Sequence, residues 1–418
     1  MKKKNNNSFS IFVIGSLFFV FGFVTWLNSI LIPFLKTACE LTDFQSSFIP
    51  FAFYISYFVT AIPSSLVLKK TGFTNGMALG LIIMAIGSLI FVPAALNRNY
   101  NFFLTGLFVQ GIGLSLLQTA ANPYVTIIGP VESAARRMSI MGICNKVAGM
   151  IGVLVLYSVI FSGTIELVNS LPNITDLIEK EAILQDLSNR VIVPYLIMAT
   201  ILISLVLFIK AAKLPEVEEE VNEADHSKSH KSIFSYPYLW FGILAIFFYV
   251  GAEVISIDYL VRYGGYNHIP ISVAKNFSVL ALIALVVGYL LGIMMIPKFI
   301  SQRLALIIQV LLAIVLVVVA LTTSGFISIV AIICLSFAHA IMWPAIWPLS
   351  IRDLGIHTKL GSAFLIMAIA GGAVLPLIYG KLSDLYNPQQ AYAILFVSYA
   401  YLLFFATIGY KIEKKVLK

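Results

Sequence analysis

Residues 304–323 read LALIIQVLLAIVLVVVALTT, a run with a single amide at Gln309 and no charged side chain. At 1.5 Å per residue, a helix of about 20 residues is roughly 30 Å long, the thickness of a bilayer's hydrocarbon core. One such run also fits a helix packed inside a large soluble protein. The rest of the chain decides between the two. Further apolar stretches occupy residues 9–34, 46–68, 76–96, 102–128, 138–161, 191–210, 238–263, 277–297, 326–350, 361–380 and 391–410. Twelve in all leave no polar surface with which a water-soluble fold would cover itself.

The composition agrees. Of 418 residues, 60% are hydrophobic and only 11% charged, with a mean hydropathy of +0.97. Soluble domains carry about 25% charged residues, so cytosolic enzymes, disordered regulators and secreted disulfide scaffolds are excluded. The expected class is an all-α integral membrane protein in contact with the lipid bilayer. The net charge of +8 then reflects basic loops held on the cytoplasmic side rather than affinity for nucleic acid. With the N-terminus inside, 19 of the 27 basic residues fall on the inner side, 7 on the outer side, and Lys146 inside a span. That bias predicts a multi-pass plasma (inner) membrane protein with both termini cytoplasmic. Cys39, Cys144 and Cys334 form no disulfide framework. The first run lacks an Ala-x-Ala cleavage site and reads as a retained helix.

Residues 211–236 are polar and acidic, with Glu216, Glu218, Glu219, Glu220 and Glu223. They read as a cytoplasmic linker between an N-terminal six-helix half, 1–210, and a C-terminal one, 237–418. A weak repeat supports the division. Asn122-Pro123 is followed by Gly129 and Arg136-Arg137, and Trp347-Pro348 by Gly355 and Lys359. Lys69-Lys70 and Lys298 with Arg303 likewise mark two short basic loops. In the outer loop at 162–189, apolar residues recur near helical spacing, as in a short helix on the bilayer surface.

No phosphate loop, His-Glu-x-x-His, Gly-x-Ser-x-Gly or Cys-x-x-Cys occurs, and the five histidines are too scattered for a metal site. The chain is not expected to be an enzyme or to need a prosthetic cofactor. What remains is polarity where a bilayer should be. Lys146, Glu253, Asp258 and His339 fall inside spans, where a charge costs roughly 2.5–3.5 kcal/mol at a helix centre. Asp258 precedes Arg262 by one turn, the spacing of an ordinary ion pair. Glu253 has no basic residue one turn away on either side. Lys146 is either its fixed counter-charge or a direct ligand. His339 is either a satisfied core histidine or a proton relay. A second set is neutral: Trp26 and Asn28 in the first span, Gln118 and Asn122 on one face of the fourth, Asn145 beside Lys146, and Trp343 with Trp347 in the tenth. Any one amide can be a helix–helix hydrogen bond. Together, amides and indoles facing one cavity suit a neutral polyol such as a sugar.

The run QTAANPY (residues 118–124) with Gly129-Pro130 resembles the signature of the fucose–galactose–glucose permease family of the major facilitator superfamily. So do FVTWLNSILIP (23–33), FFYVGAE (247–253) and GSAFLIMAIAGGAVLP (361–376). The resemblance runs through almost all spans. It implies the major facilitator fold, twelve helices in two pseudo-symmetric halves. It also implies uptake of a hexose or related sugar, with co-transported H+ or Na+ as the only other small partner. By position it makes Asn145 a sugar ligand and Glu253 the coupling acid. Two departures matter. Ser29 and Gln118 stand where the proton-coupled fucose permease pattern has aspartate and glutamate, so the proton route of that pattern does not transfer. The expected function is a sugar symporter working by alternating access as a monomer. An uncoupled facilitator and a sugar sensor are the alternatives, and a drug/proton antiporter fits the amide-rich interior less well. A sensor needs an output domain, and only eight residues follow Tyr410.

The charge bias makes a direct prediction. In a cysteine-free variant, single cysteines placed at Asp225 and in the C-terminal tail should be inaccessible to a membrane-impermeant maleimide added to intact cells. Labelling of both from outside would reverse the orientation.

Overall fold

The computed structural model describes residues 2–127, 134–161, 174, 176–212, 232–296, 298–351, 354 and 357–412. Twelve segments among them are long and apolar enough to span a membrane. In order they are Phe9–Ala38, Asp43–Leu68, Lys70–Leu96, Tyr100–Ala121, Ile140–Ile160, Leu177–Ala212, Pro237–Asp258, Ile271–Met295, Gln302–Thr322, Gly325–Ile351, Ala363–Leu385 and Pro388–Lys411. An even number of spans puts both chain ends on one face, and the opposite face is the distal one. The linker at 213–231 and the loop segments 128–133 and 162–173 lie outside the described residues, as do Gly355 and the C-terminal 413–418.

The chain is apolar inside and out, as a lipid-solvated bundle must be. Leu207, Phe12 and Val315 are exposed, while the buried polar residues are mostly serines, and several of their hydroxyls return to backbone carbonyls of their own helix, as Ser88 does to Met84 and Ser350 to Ile346. With no water in the bilayer core, that local return is what makes a buried hydroxyl tolerable.

Spans 2 and 3 run on as helix through Gly72, whose φ of 74° makes the turn between them. Glycine alone enters that region without strain. Span 1 packs on span 5, and span 7 on span 11, so the same pairing recurs six spans later. Both contacts are glycine-to-backbone: a Cβ on Gly22 would collide with Asn145, and one on Gly371 with Phe247. The first six spans meet the last six along two seams. Span 5 faces span 8, with Tyr289 against Gly142, and span 2 faces span 11, with Tyr54 against Gly372.

The outer-loop helix is Leu177–Asn189, joined to Ile192–Ala212 by a short turn. Rather than resting on lipid alone, it is fastened to the distal end of span 3. Gln185 donates to the carbonyls of Ala95 (2.9 Å) and Leu96 (3.3 Å), and Ser188 donates to Ala95 (3.1 Å). These are carbonyls that a helix C-terminus leaves without partners.

Among the interruptions of helix, three fall beside candidate residues: at Leu27 in span 1, at Tyr259 just past the end of span 7, and at Ala340–Ile341 in span 10. The breaks fall beside Trp26 and Asn28, beside Asp258, and between His339 and Trp343. Interrupted helices at membrane depth are tolerated where they line a site or are enclosed by protein.

Candidate functional site

Span 5 turns Lys146 inward, and it meets Glu253 of span 7 across the seam between the first six spans and the last six. Lys146 Nζ donates to Glu253 Oε1 at 3.4 Å. Both residues are buried, at 7% and 8% exposure, so little solvent screens the pair. The ammonium also stands over the indole of Trp26, 4.0 Å from its centroid. Trp26 Nε1 donates to Asn145 Oδ1 at 3.1 Å. The glycine contact at Gly22 brings span 1 close enough for this. Trp26, Asn145, Lys146 and Glu253 therefore form one connected group, which supports the reading of Lys146 as counter-charge to Glu253.

Gln118 lies apart from this chain of contacts. Its amide donates to the Tyr57 hydroxyl at 3.0 Å. On the other side of the seam, Tyr249 sits one turn before Glu253, and its ring centroid is 6.2 Å from that of Trp343. Trp343 and Trp347 stack at 5.3 Å with 26° between their planes. Gln118, Asn145, Trp343 and Trp347 all keep accessible surface. The arrangement thus has a buried charged centre and partly accessible amides and indoles, the groups that bind hydroxyls and C–H faces.

Other candidates fare differently. His339 is fully buried, with Nδ1 3.3 Å from Ser256 Oγ and Nε2 2.8 Å from the Tyr399 hydroxyl. Both ring nitrogens are engaged by neutral groups, the arrangement of a satisfied core histidine tying spans 7, 10 and 12. Asn28 is buried, and its Nδ2 has no partner among the described residues. The side chains of Asn122, Arg136 and Arg137 lie outside the described residues.

The expected Asp258–Arg262 pair is not formed. The helical ladder is interrupted at Tyr259 between them, so the one-turn spacing no longer guarantees the pair. Arg262 instead pairs with Asp43 at the start of span 2, and both carboxylate oxygens of Asp258 are buried without a partner among the described residues. Sequence reasoning missed Asp43. Its local signal was legible: Thr42 and Gln45 form a reciprocal capping box that opens span 2. Asp43 also pairs with Lys36. The Asp384 carboxylate of span 11 accepts from the backbone N–H groups of Asp43 (3.0 Å) and Phe44 (2.8 Å). Tyr259 donates to Ser47 Oγ at 3.0 Å. These distal ties and the Lys146–Glu253 pair join spans 1–6 to spans 7–12. The distal face is closed by polar contacts.

The family model of the Major Facilitator Superfamily matches residues 14–357. The chain belongs to the major facilitator superfamily. Its resemblance to the fucose–galactose–glucose branch is borne out over nearly its whole length. It is 34% identical over 420 residues to a glucose/galactose transporter of Brucella abortus, covering 98% of this chain and 96% of the relative. It is 31% identical over 408 residues to the L-fucose-proton symporter of Escherichia coli, covering 91% and 90%. A crystal structure of the Escherichia coli fucose:proton symporter superposes with a TM-score of 0.72 at 28% identity, covering 97% of this chain and 99% of that one. This major facilitator chain is a transporter and not an enzyme.

The buried pair makes a prediction about stability. Lys146→Met strands a carboxylate and should cost about 3–5 kcal/mol. Glu253→Gln should cost less, because Lys146 keeps an amide oxygen to donate to and the Trp26 face beneath it. The double variant should recover most of the loss. Thermal unfolding of the four purified proteins in detergent measures the cycle. Equal, additive losses would mean that the two charges do not interact.

Proposed function

We propose that this chain imports a hexose-like sugar across the inner membrane by alternating access, in symport with a proton. It works as a monomer of two six-span halves with a cytoplasmic linker. The observation that carries the reading is the Lys146–Glu253 pair bridging the two sets of spans within a connected group of indole and amide side chains. End-to-end similarity to proteins named for glucose/galactose transport and fucose–proton symport supports the sugar class, and the proton coupling in the second name supports the proton over sodium.

In this reading the halves rock about the seams, and the distal face is the outer one. The partly accessible amides of Gln118 and Asn145 take sugar hydroxyls, while the Trp26, Trp343 and Trp347 rings take C–H faces. Asn28 and Asn122 serve the same cavity. Glu253 is the coupling acid. Glu253 paired with Lys146 and Glu253 released from it are the two forms between which the proton is exchanged. Each form favours a different arrangement of the halves, so a proton gradient biases the conformational equilibrium. His339 braces the helices behind the site.

Uptake into proteoliposomes across a sugar panel, with pH and sodium gradients imposed separately, tests the whole reading. A sodium gradient driving accumulation while a pH gradient does not would replace the proton. Two finer outcomes are expected for a sugar that the parent moves. Asn145→Ala and Gln118→Ala should each weaken binding by up to about tenfold, the loss of neutral hydrogen bonds worth roughly 0.5–1.5 kcal/mol. Unchanged affinity in both would return the amides to helix packing. Glu253→Gln should abolish uphill accumulation yet keep sugar exchange, which needs no net proton movement. Accumulation by this variant would remove Glu253 from coupling.

A further inference from the structure

Asp258 is fully buried and neither of its carboxylate oxygens has a hydrogen-bond partner among the described residues. Removing an ionised carboxylate from water without a partner costs far more than any single contact returns, so a carboxyl so placed takes a proton. The titratable or charged groups that face it are few. Near enough to act on it by charge, without bonding to it, are Lys146 of span 5, Tyr54 of span 2, and Glu253 and Tyr259 along its own helix. Lys146 is already bonded to Glu253 at 3.4 Å. Arg262, the nearest cation along the chain, is drawn to Asp43 in span 2 and is itself 8% exposed. Arg262 thus lies four residues from one acid in the chain and pairs with the other. The acid it serves, Asp43, lies in the first six spans and closes the distal face.

We propose that Asp258 holds the coupled proton in this distally closed state and that its charge decides which acid Arg262 pairs with. Protonated, Asp258 is a neutral acid that can be buried alone, and Arg262 is left to Asp43, which shuts the outer face. When Asp258 gives up its proton to outer water, the carboxylate competes for Arg262 four residues on, the Arg262–Asp43 tie is lost, and the outer face opens. No bond other than O–H is made or broken. The same device opposes closure of a deprotonated carrier that has taken up sugar alone, which is what symport requires. It deepens the transport reading above by naming where the proton sits while Lys146 occupies Glu253.

The test reads the gate and needs no sugar. Val261 is buried at 3% exposure and lines a distal cavity of about 660 Å³ that Arg262 and Asp43 also border. Glu179 is exposed on the distal helix. In a background with Cys39, Cys144 and Cys334 replaced, Val261→Cys reports the gate. Glu179→Cys, measured separately, supplies the intrinsic pH response of a free thiol. The ratio of their rates with an impermeant maleimide should rise several-fold as the outer solution goes from mildly acid to mildly alkaline. With Asp258→Asn it should stay low throughout, and with Asp43→Asn it should stay high throughout. Asp258→Glu, which still titrates, should keep the pH response. A ratio that does not respond to pH in the parent overturns the proposal. So does an undiminished response in Asp258→Asn, or a flat profile in Asp258→Glu should the asparagine variant not reach the membrane. A parent that shows the response but moves no sugar would keep the switch and lose the transport reading.

Discussion

The contact on which the rest depends is Lys146 reaching across the seam to Glu253. Its value is not strength. Taking an ammonium and a carboxylate out of water costs several kcal/mol for each ion, and their mutual attraction at best repays the cost. A buried pair is therefore near break-even against separation into a solvated cavity. Weak net stabilisation is what a working interface between two moving bodies requires, because a strongly favourable contact would hold them in one state. Removing one partner is another matter, since the remaining charge is stranded. The pair thus permits concerted opening and penalises the loss of either charge alone. Trp26 makes the position of Lys146 definite. Its ring face supports the ammonium, and its N–H is committed to Asn145, the residue before Lys146 in the chain.

The distal ties are built on a different principle. Asp43 has one oxygen near Lys36 and the other near Arg262, while its backbone N–H is held by Asp384. The N-terminus of a helix carries partial positive charge, so the carboxylate of Asp384 docks against the start of span 2 without needing a cation. The outer-loop helix braces the same region through Lys180–Glu40 at 2.6 Å and Arg98–Glu181 at 2.9 Å. Exposed pairs of this kind contribute little individually, about 0–1 kcal/mol. Closure rests on several small terms converging on Asp43, and the loss of one shifts the balance without destroying the fold.

Much of this was legible in the sequence and some could not be. Spans announce themselves because a bilayer demands apolar length and nothing else in a polypeptide mimics that demand twelve times. Glu253 was legible as an acid without a local partner, and Lys146 as one of two roles; only the packing of span 5 against the C-terminal spans chose between them. Asp258 was misread for a definable reason. The one-turn rule assumes an unbroken helix, and the break at Tyr259 has no proline or glycine beside it to mark it in the sequence. Arg262 then found an acid 219 positions earlier in the chain, at Asp43, a pairing that no local pattern encodes. His339 stayed ambiguous until Ser256 and Tyr399 were seen to occupy both ring nitrogens. Tyr54, Tyr57 and Tyr249 carry no signal of their own in the sequence, because a buried aromatic ring looks the same there whether or not its hydroxyl has work to do.

The break in span 1 also bears on one departure from the fucose permease pattern. An interrupted helix in a membrane frees carbonyls that must find donors inside the protein. Ser29 donates to the carbonyl of Trp26 at 2.9 Å, just beyond the break at Leu27, and Ser256 donates to the carbonyl of Glu253 at 3.0 Å, just before the break at Tyr259. A hydroxyl can do this; a carboxylate, which only accepts, cannot. An aspartate at position 29 would leave the Trp26 carbonyl without its donor and disturb the indole that supports Lys146. Gln118, away from any break, also acts as a donor here, to the Tyr57 hydroxyl. With both positions in the first six spans committed as donors, the remaining membrane-depth acids, Glu253 and Asp258, both lie in span 7. Whatever proton chemistry the chain performs is thereby concentrated on one broken helix, with its counter-charge supplied from the other side of the seam.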